Sequence, residues 1–186
     1  VFPGDSGGKP MQQSPVSQST ALIPEAVNAA QESDVVVACV GDLAGLFQSG
    51  TVGEGSDTDS LNLPGVQQLL LEALVATGKP VIVVMTGGRP YNLQGLEDKV
   101  AALIVAWAPG QEGGWAIADV LTGRAEPQGR LVVSVPKSAG AMPYYYNHKL
   151  KSGGTPFAFH FGSRYPFGFG LGWTTFRWNA ARVAAS

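Results

Sequence analysis

The chain has 186 residues, of which 45% are hydrophobic and 14% charged, a composition that supports one sizeable core and excludes wholesale disorder. Its 12 Lys and Arg against 14 Asp and Glu give a net charge of −2, so we do not expect nucleic acid as a partner. No apolar run approaches the ~20 residues of a membrane-spanning helix, so no membrane partner is expected either. A single cysteine, Cys39, excludes an intrachain disulfide and is predicted to be buried.

Helical and strand patterns alternate along most of the chain. Residues 1–23 are rich in Gly, Pro, Ser and Gln, show no period, and are predicted to form a linker or an extended arm. Continuous apolar, largely β-branched runs indicate strands buried on both faces, and apolar residues at helical spacing indicate helices. The helices are predicted at residues 24–30, 65–77 and 112–122, and the strands at residues 35–40, 81–85, 101–106 and 131–135.

Strands that alternate with helices favour parallel pairing through right-handed crossovers. The predicted fold class is therefore α/β, with a mostly parallel, doubly wound sheet and helices on both faces. After Pro136 the chain is dominated by Pro, Gly and aromatic residues, which predicts an irregular, aromatic-rich C-terminal tail.

Ligands of such sheets bind beyond the carboxyl ends of the strands, which directs attention to three loops. They span residues 41–64, 87–91 and 107–114. The first loop has about two dozen residues where two to six are usual, and loops of that length are commonly functional.

The first loop carries a carboxylate between two glycines, Glu54, which is a candidate general acid or base. The alternative is an ordinary exposed glutamate in a flexible turn. For Asp42, Asp57 and Asp59 in the same loop, capping or ion pairing is the default role.

The other two loops carry residues suited to sugars. Arg89 can hold a carboxylate or a sugar hydroxyl, or else lock the first loop structurally. Trp107 and Gln111 offer a ring face and an amide, although a tryptophan at a strand end is more often part of the core. Glu112 suits the start of a helix.

The sequence lacks the motifs of nucleotide-binding proteins, serine hydrolases and metalloproteins. The sequence has no Gly-x-Gly-x-x-Gly after the first strand, no Walker motif and no Gly-x-Ser-x-Gly elbow. His148 and His160 are the two histidines, and no cluster has metal-ligand spacing, so neither a metal nor a cofactor is expected. The tyrosines at 144–146 can line a sugar-binding surface or pack under the tail.

Read together, the motifs resemble the second domain of glycoside hydrolase family 3, in the family's own order over roughly residues 25–178. They are GEGSD at 53–57, LNLPGVQ at 61–67, GKPVIVV at 78–84, GRP at 88–90, AWAPGQEGG at 106–114, AIADVLTG at 116–123, PQGRL at 127–131 and YPFGFGL at 165–171. The resemblance implies one α/β sandwich domain over residues 24–178, lacking its first strand, with a tail at residues 179–186.

The resemblance implies a retaining enzyme similar to β-glucosidases and β-xylosidases, in which an Asp on a (β/α)8-type barrel attacks the sugar. Glu54 matches the family's acid/base and is expected to be largely exposed in this chain alone. Asp57, Arg89, Trp107 and Gln111 are the implied substrate contacts. The implied partners are a β-glycoside and the barrel that carries the nucleophile, and a periplasmic or secreted location is favoured over a cytoplasmic one.

Two departures from the family pattern leave alternatives open. Thr58 stands where the family commonly has Arg, which puts the anchoring of the first loop in question. The nucleophile-bearing barrel is absent from these residues, so we expect a fragment or cleaved chain that is inactive alone. The alternatives are a non-catalytic carbohydrate-binding or scaffold module and, from topology alone, a flavodoxin-like nucleotide binder.

Overall fold

The structure, a computed structural model, describes residues 16–45, 50–147, 162–177, 179–180 and 183. Residues 1–15 of the arm predicted at residues 1–23 lie outside the described residues, as do both histidines. The elements, in chain order, are α1 (Ile23–Gln31), β1 (Val36–Gly41), α2 (Gln67–Ala76), β2 (Val81–Thr86), β3 (Ala102–Trp107), α3 (Gly113–Leu121), β4 (Val135–Pro136) and β5 (Ser163–Tyr165), with short 3₁₀ turns at Leu96–Asp98 and Ala139–Ala141. Within these residues no helix is both long and apolar enough to cross a bilayer.

The central sheet pairs its strands in parallel in the order β1-β2-β3. Val36 pairs with Val81 and Gly41 with Thr86, so β1 and β2 end at the same edge. The β2–β3 register shifts between Met85 and Thr86, which brings Trp107 opposite Thr86. The α/β class and the mostly parallel sheet are confirmed.

The core lies between one face of the sheet and helices α1 and α2. Alternate residues of the strands point into it, together with the inward faces of the two helices, as the periods of 2.0 and 3.6 residues require. Its buried members are Ala30, Ala38, Val40, Leu63, Leu71, Leu74, Val81, Val83, Met85, Tyr91, Leu93 and Leu96.

The opposite face of β1 is not buried, and here the prediction from the sequence was wrong. Ala38 and Val40 are buried, but Val37 is 47% exposed and Cys39 is exposed as well. The apolar run indicated burial on both faces, yet nothing in the described residues covers this side of β1. By contrast, β2 lies between two strands, and its Val84, on that same face, is buried.

The predicted fourth strand at residues 131–135 was also wrong. Only Val135–Pro136 is a strand, and it pairs antiparallel with Ser163–Tyr165, outside the main sheet. Leu131 instead exchanges backbone hydrogen bonds with the tail, donating to the Phe169 carbonyl and accepting from Gly168. Competition from the tail for these backbone groups explains why the apolar run does not join the parallel sheet.

The aromatic-rich tail packs on its own residues and back on the segment before β4. Tyr165 stacks on Phe169 with ring centroids 4.8 Å apart, and Tyr146 stacks on Phe167 at 4.7 Å. The Glu126 carboxylate accepts hydrogen bonds from the backbone N–H and the hydroxyl of Thr174. The described tail is irregular after β5, as predicted.

Candidate active site

Two of the three predicted loops leave the edge where β1 and β2 end together. The first loop starts after Gly41, and the second starts after Thr86. The Asp42 N–H donates to the Thr86 carbonyl at 2.9 Å, which holds the two starting points side by side. Side chains from both loops therefore meet at the carboxyl edge of the sheet.

Glu54 lies at the tip of a tight turn in the first loop. Gly53 has φ +128° and Gly55 has φ +76°, conformations that side-chain-bearing residues rarely adopt. The Ser56 N–H donates to the Gly53 carbonyl at 3.0 Å and closes the turn, and the side chain of Glu54 is exposed. The expected exposure of Glu54 is confirmed.

The base of this turn is packed backbone against backbone. A Cβ atom on Gly53 would lie 2.1 Å from the Gly45 carbonyl oxygen, a distance that no side chain tolerates. Ala44 and Val52 form an isolated parallel bridge beside it. The glycines around Glu54 thus serve a close approach of two chain segments as well as a sharp turn.

Arg89 holds both sides of the turn that carries Glu54. Its guanidinium donates to the Thr51 carbonyl at 2.7 Å and to the Ser56 carbonyl at 2.8 Å. Since Thr51 precedes the turn and Ser56 closes it, one planar cation fixes the separation of the two ends. This loop-locking contact is the alternative role considered for Arg89, and it anchors the loop although Thr58 replaces the family's arginine.

Asp42 joins the first loop to the second. Its carboxylate accepts hydrogen bonds from the Thr51 hydroxyl at 2.8 Å, from the Gly88 N–H at 3.0 Å and from the Tyr91 hydroxyl. Tyr91 is 4% exposed, and burial, followed by the hydrogen bond to Asp42, raises the pKa of its hydroxyl. Tyr91 therefore stays a donor across the ordinary pH range.

Gln67 fixes the far end of the first loop. Its side-chain carbonyl accepts from the Gly41 N–H at 2.7 Å, and its amide donates to the Gly41 and Pro64 carbonyls at 2.8 and 2.9 Å. Sequence reasoning did not assign a function to Gln67, Thr51 or Tyr91, and gave Asp42 only a generic role. The position of this carboxylate, close behind a predicted strand, is the sequence signal that could have identified Asp42.

The remaining predicted site residues lie around this edge. Trp107 ends β3 with φ +52°, and its carbonyl accepts from the Gly87 N–H at 2.9 Å, which links the third loop to the second. Such a backbone conformation is strained for a side-chain-bearing residue and is often found near functional sites. The side chains of Asp57 and Gln111 are exposed. Within the described ranges, no group of three His, Cys, Asp or Glu could hold a metal ion.

Comparison with known proteins identifies the family. The model of the glycosyl hydrolase family 3 C-terminal domain matches residues 6–173. The chain belongs to glycosyl hydrolase family 3.

Other members of glycosyl hydrolase family 3 are similar along most of the chain. A periplasmic β-glucosidase of Salmonella typhimurium is 41% identical over 169 residues, which are 84% of this chain and 21% of that protein. A β-xylosidase of Formosa agariphila is 38% identical over 164 residues, 86% of this chain and 22% of that protein. The chain therefore spans about a fifth of the length of these family members.

Solved structures of family members have the same fold. A β-glucosidase from Erythrobacter marinus superimposes with a TM-score of 0.72 at 37% identity, over 83% of this chain and 21% of that one. A β-glucosidase from Listeria innocua in complex with gluconolactone also gives 0.72, at 30% identity over 84% of this chain and 23% of that one. The chain thus corresponds to one domain of such enzymes.

Proposed function

We propose that this chain is the acid/base-bearing domain of a retaining β-glycosidase that hydrolyses terminal β-linked sugars. Membership of glycosyl hydrolase family 3 and the similarity to β-glucosidases and β-xylosidases support the reaction class. The observation that carries the assignment of Glu54 is its position, exposed at the tip of a turn whose two ends are both held by Arg89.

The reaction needs a second carboxylate that a different domain supplies. In a retaining glycosidase the nucleophile and the acid/base lie ~5–5.5 Å apart on either side of the scissile bond. The nucleophile attacks the anomeric carbon while the acid donates its proton to the leaving oxygen. The resulting glycosyl-enzyme is hydrolysed by water, from which the same carboxylate removes a proton. We propose that the nucleophile is an Asp of a barrel domain and that Glu54 reaches into its cleft.

The exposed tip suits this division of labour. A carboxylic acid keeps its proton near neutral pH where burial or a neighbouring negative charge disfavours its ionised form. Insertion of Glu54 into a cleft that already holds the nucleophile supplies both conditions. A rigid loop also limits how far the carboxyl can move from the leaving oxygen, and geometric placement is a large part of enzymatic rate acceleration.

Other predicted contacts complete the proposal. Asp57, Trp107 and Gln111 are proposed to contact the substrate beside Glu54, since Asp57 lies in the first loop while Trp107 and Gln111 lie at and after the end of β3, next to the end of β2. The backbone contacts of Arg89 favour the positioning of Glu54 over a direct contact with sugar. A periplasmic or secreted location is proposed, in keeping with the periplasmic β-glucosidase among the similar proteins.

Substitution of Glu54 in the complete enzyme tests the proposal. Glu54→Gln removes the proton donor but keeps the size of the side chain. The rate of glycosyl-enzyme formation from an alkyl β-glucoside should fall about 100-fold or more, since general acid catalysis contributes 10²–10⁴-fold. With a dinitrophenyl β-glucoside, whose leaving group needs no proton, the same step should be nearly unchanged.

Glu32→Gln is the matched control, because Glu32 is also exposed but lies at the end of α1. It should leave both substrates unaffected. Equal losses on the two substrates in Glu54→Gln would contradict the acid role. Unchanged activity on both would instead favour a carbohydrate-binding or scaffold domain.

A further inference from the structure

We propose that Asp42 is a positioning residue for Glu54, because its carboxylate ties the loop that carries the acid to the loop that clamps it. The inference rests on the proposed function of Glu54 and adds a residue that acts through it. Asp42 itself lies at the end of β1 and is held by the sheet, since its N–H donates to the Thr86 carbonyl.

The contacts of Asp42 form a closed ring with Arg89. One carboxylate oxygen accepts from the Thr51 hydroxyl at 2.8 Å, and the Thr51 carbonyl accepts from the Arg89 guanidinium at 2.7 Å. Arg89 follows Gly88 directly in the chain, and the Gly88 N–H donates to the second carboxylate oxygen at 3.0 Å. The Asp42 carboxylate therefore fixes both Thr51, which precedes the Glu54 turn, and the segment that carries Arg89.

The hydrogen-bond donors around Asp42 suit a carboxylate, and the space beside it leaves room only for glycine at position 87. In the described part of the chain, a backbone N–H and two hydroxyls donate to Asp42, and a carboxylate accepts through both of its oxygens, as this arrangement requires. The Thr51 hydroxyl in turn accepts from the Leu43 N–H at 2.9 Å, so it is already oriented toward Asp42. A Cβ on Gly87 would lie 2.6 Å from the carboxylate oxygen, so even one methyl group at Gly87 would displace Asp42.

A buried residue, Tyr91, holds the Asp42 carboxylate from the core side. Tyr91 belongs to the core cluster and sends its hydroxyl to the same carboxylate oxygen as Thr51. Charge-assisted hydrogen bonds of this kind are stronger than neutral ones. Asp42 thus connects a buried residue to a loop whose tip is exposed.

Loss of the Asp42 charge should act on catalysis through the position of Glu54. In Asp42→Asn the amide N–H₂ faces either the Gly88 N–H, which cannot accept, or the two hydroxyls, which must then turn their own hydrogens away in order to accept. Either arrangement replaces the charge-assisted hydrogen bonds of the ring by weaker ones, so Glu54 is held less firmly in place. A displacement of about 1 Å at a catalytic group can cost about 100-fold in rate. The rate should fall for substrates whose leaving group must be protonated by Glu54 and should stay nearly unchanged for substrates whose leaving group needs no proton.

The experiment uses the complete enzyme and a series of aryl and alkyl β-glucosides with leaving groups of increasing basicity. Asp42→Asn should lower the rate of glycosyl-enzyme formation about 10- to 100-fold for the most basic leaving groups and less than about 3-fold for dinitrophenolate. Thr51→Val should behave in the same way and Thr51→Ser should restore the wild-type pattern. Asp119→Asn, which breaks an exposed ion pair with Arg124, should leave the rate unchanged for every leaving group.

A double variant separates positioning from a general loss of structure. If Asp42 acts only through Glu54, Asp42→Asn adds no further dependence on the leaving group in the Glu54→Gln background. A parallel loss for all leaving groups in both Asp42→Asn and Thr51→Val overturns the inference. If Glu54→Gln alone shows no dependence on the leaving group, the proposed function has failed. A dependence in Glu54→Gln but none in Asp42→Asn overturns only the role of Asp42.

Discussion

Replacement of Arg89 by Met tests how firmly the Glu54 turn is anchored. The substitution keeps the unbranched stem and removes the guanidinium, which makes two hydrogen bonds to backbone carbonyls at 2.7 and 2.8 Å. Hydrogen bonds from charged groups contribute about 1.5–3 kcal/mol each when buried. Arg89 is half-buried, and its Nε is buried without a hydrogen-bond partner among the described residues, so values at the low end apply. Two such bonds would contribute about 3 kcal/mol, and because Arg89→Met also removes the unpartnered Nε, the expected net loss in free energy of unfolding is about 2 kcal/mol.

Two measurements detect this loss. Urea denaturation gives the global change, and hydrogen exchange at the Ser56 amide reports on the turn, since that N–H donates to the Gly53 carbonyl. Arg89→Met should accelerate exchange at Ser56 and leave exchange at Val36, which begins β1, close to that of the wild type once the global change is subtracted.

Arg130→Met is the control for this prediction. Arg130 is exposed and donates to the carbonyls of Gln128 and Gly129, its own chain neighbours, at 3.2 and 3.0 Å. Its loss should cost no more than about 0.5 kcal/mol. Equal effects of the two substitutions, or an unchanged Ser56 exchange rate in Arg89→Met, would refute the anchoring role of Arg89.

Two further predictions concern the core and the tail. Leu71→Ala should lower the free energy of unfolding by about 3 kcal/mol, because Leu71 is 0% exposed. Leu69→Ala, at a position 49% exposed, should cost about 1 kcal/mol or less. Urea denaturation of both variants measures the two losses, and equal losses would contradict the described core. The pKa of Glu126 is lowered from 4.5, first by the backbone N–H and then by the hydroxyl of Thr174, so its contribution to stability is present above pH 4.5 and is lost as the pH falls through the lower folded value. The melting temperature of the wild type should therefore exceed that of Glu126→Gln more at pH 6 than at pH 3, and a constant difference would contradict this contact.

The regular elements were predictable where local pattern and tertiary environment agree. The β-branched run at residues 81–85 forms β2, which is buried between two neighbouring strands. The equally apolar run before Gly41 forms β1, but Val37 and Cys39 are exposed. Hydrophobic periodicity reports what a segment can bury, and it does not report what other segment is present to cover it.

Within the candidate site, Glu54 at the tip of its turn could be predicted from the sequence, whereas the contacts that hold the turn could not. Two glycines around one carboxylate form a local motif, so Glu54 could be singled out from neighbouring residues alone. The contacts that hold it join residues far apart in sequence, as when Tyr91 binds Asp42 across 49 positions and Arg89 binds Thr51 across 38. Such pairings depend on strand order and register, which the sequence pattern only outlines.

Rescue by azide tests most directly the claim that Glu54 is the acid/base. In Glu54→Ala a dinitrophenyl β-glucoside can still form the glycosyl-enzyme, but no carboxylate remains to activate water for the second step. Azide attacks without the help of a base, so it should accelerate turnover of Glu54→Ala in the complete enzyme and yield the β-glucosyl azide, while leaving the wild type unaffected. No acceleration and no glycosyl azide, with hydrolysis still at the wild-type rate, would contradict the assignment.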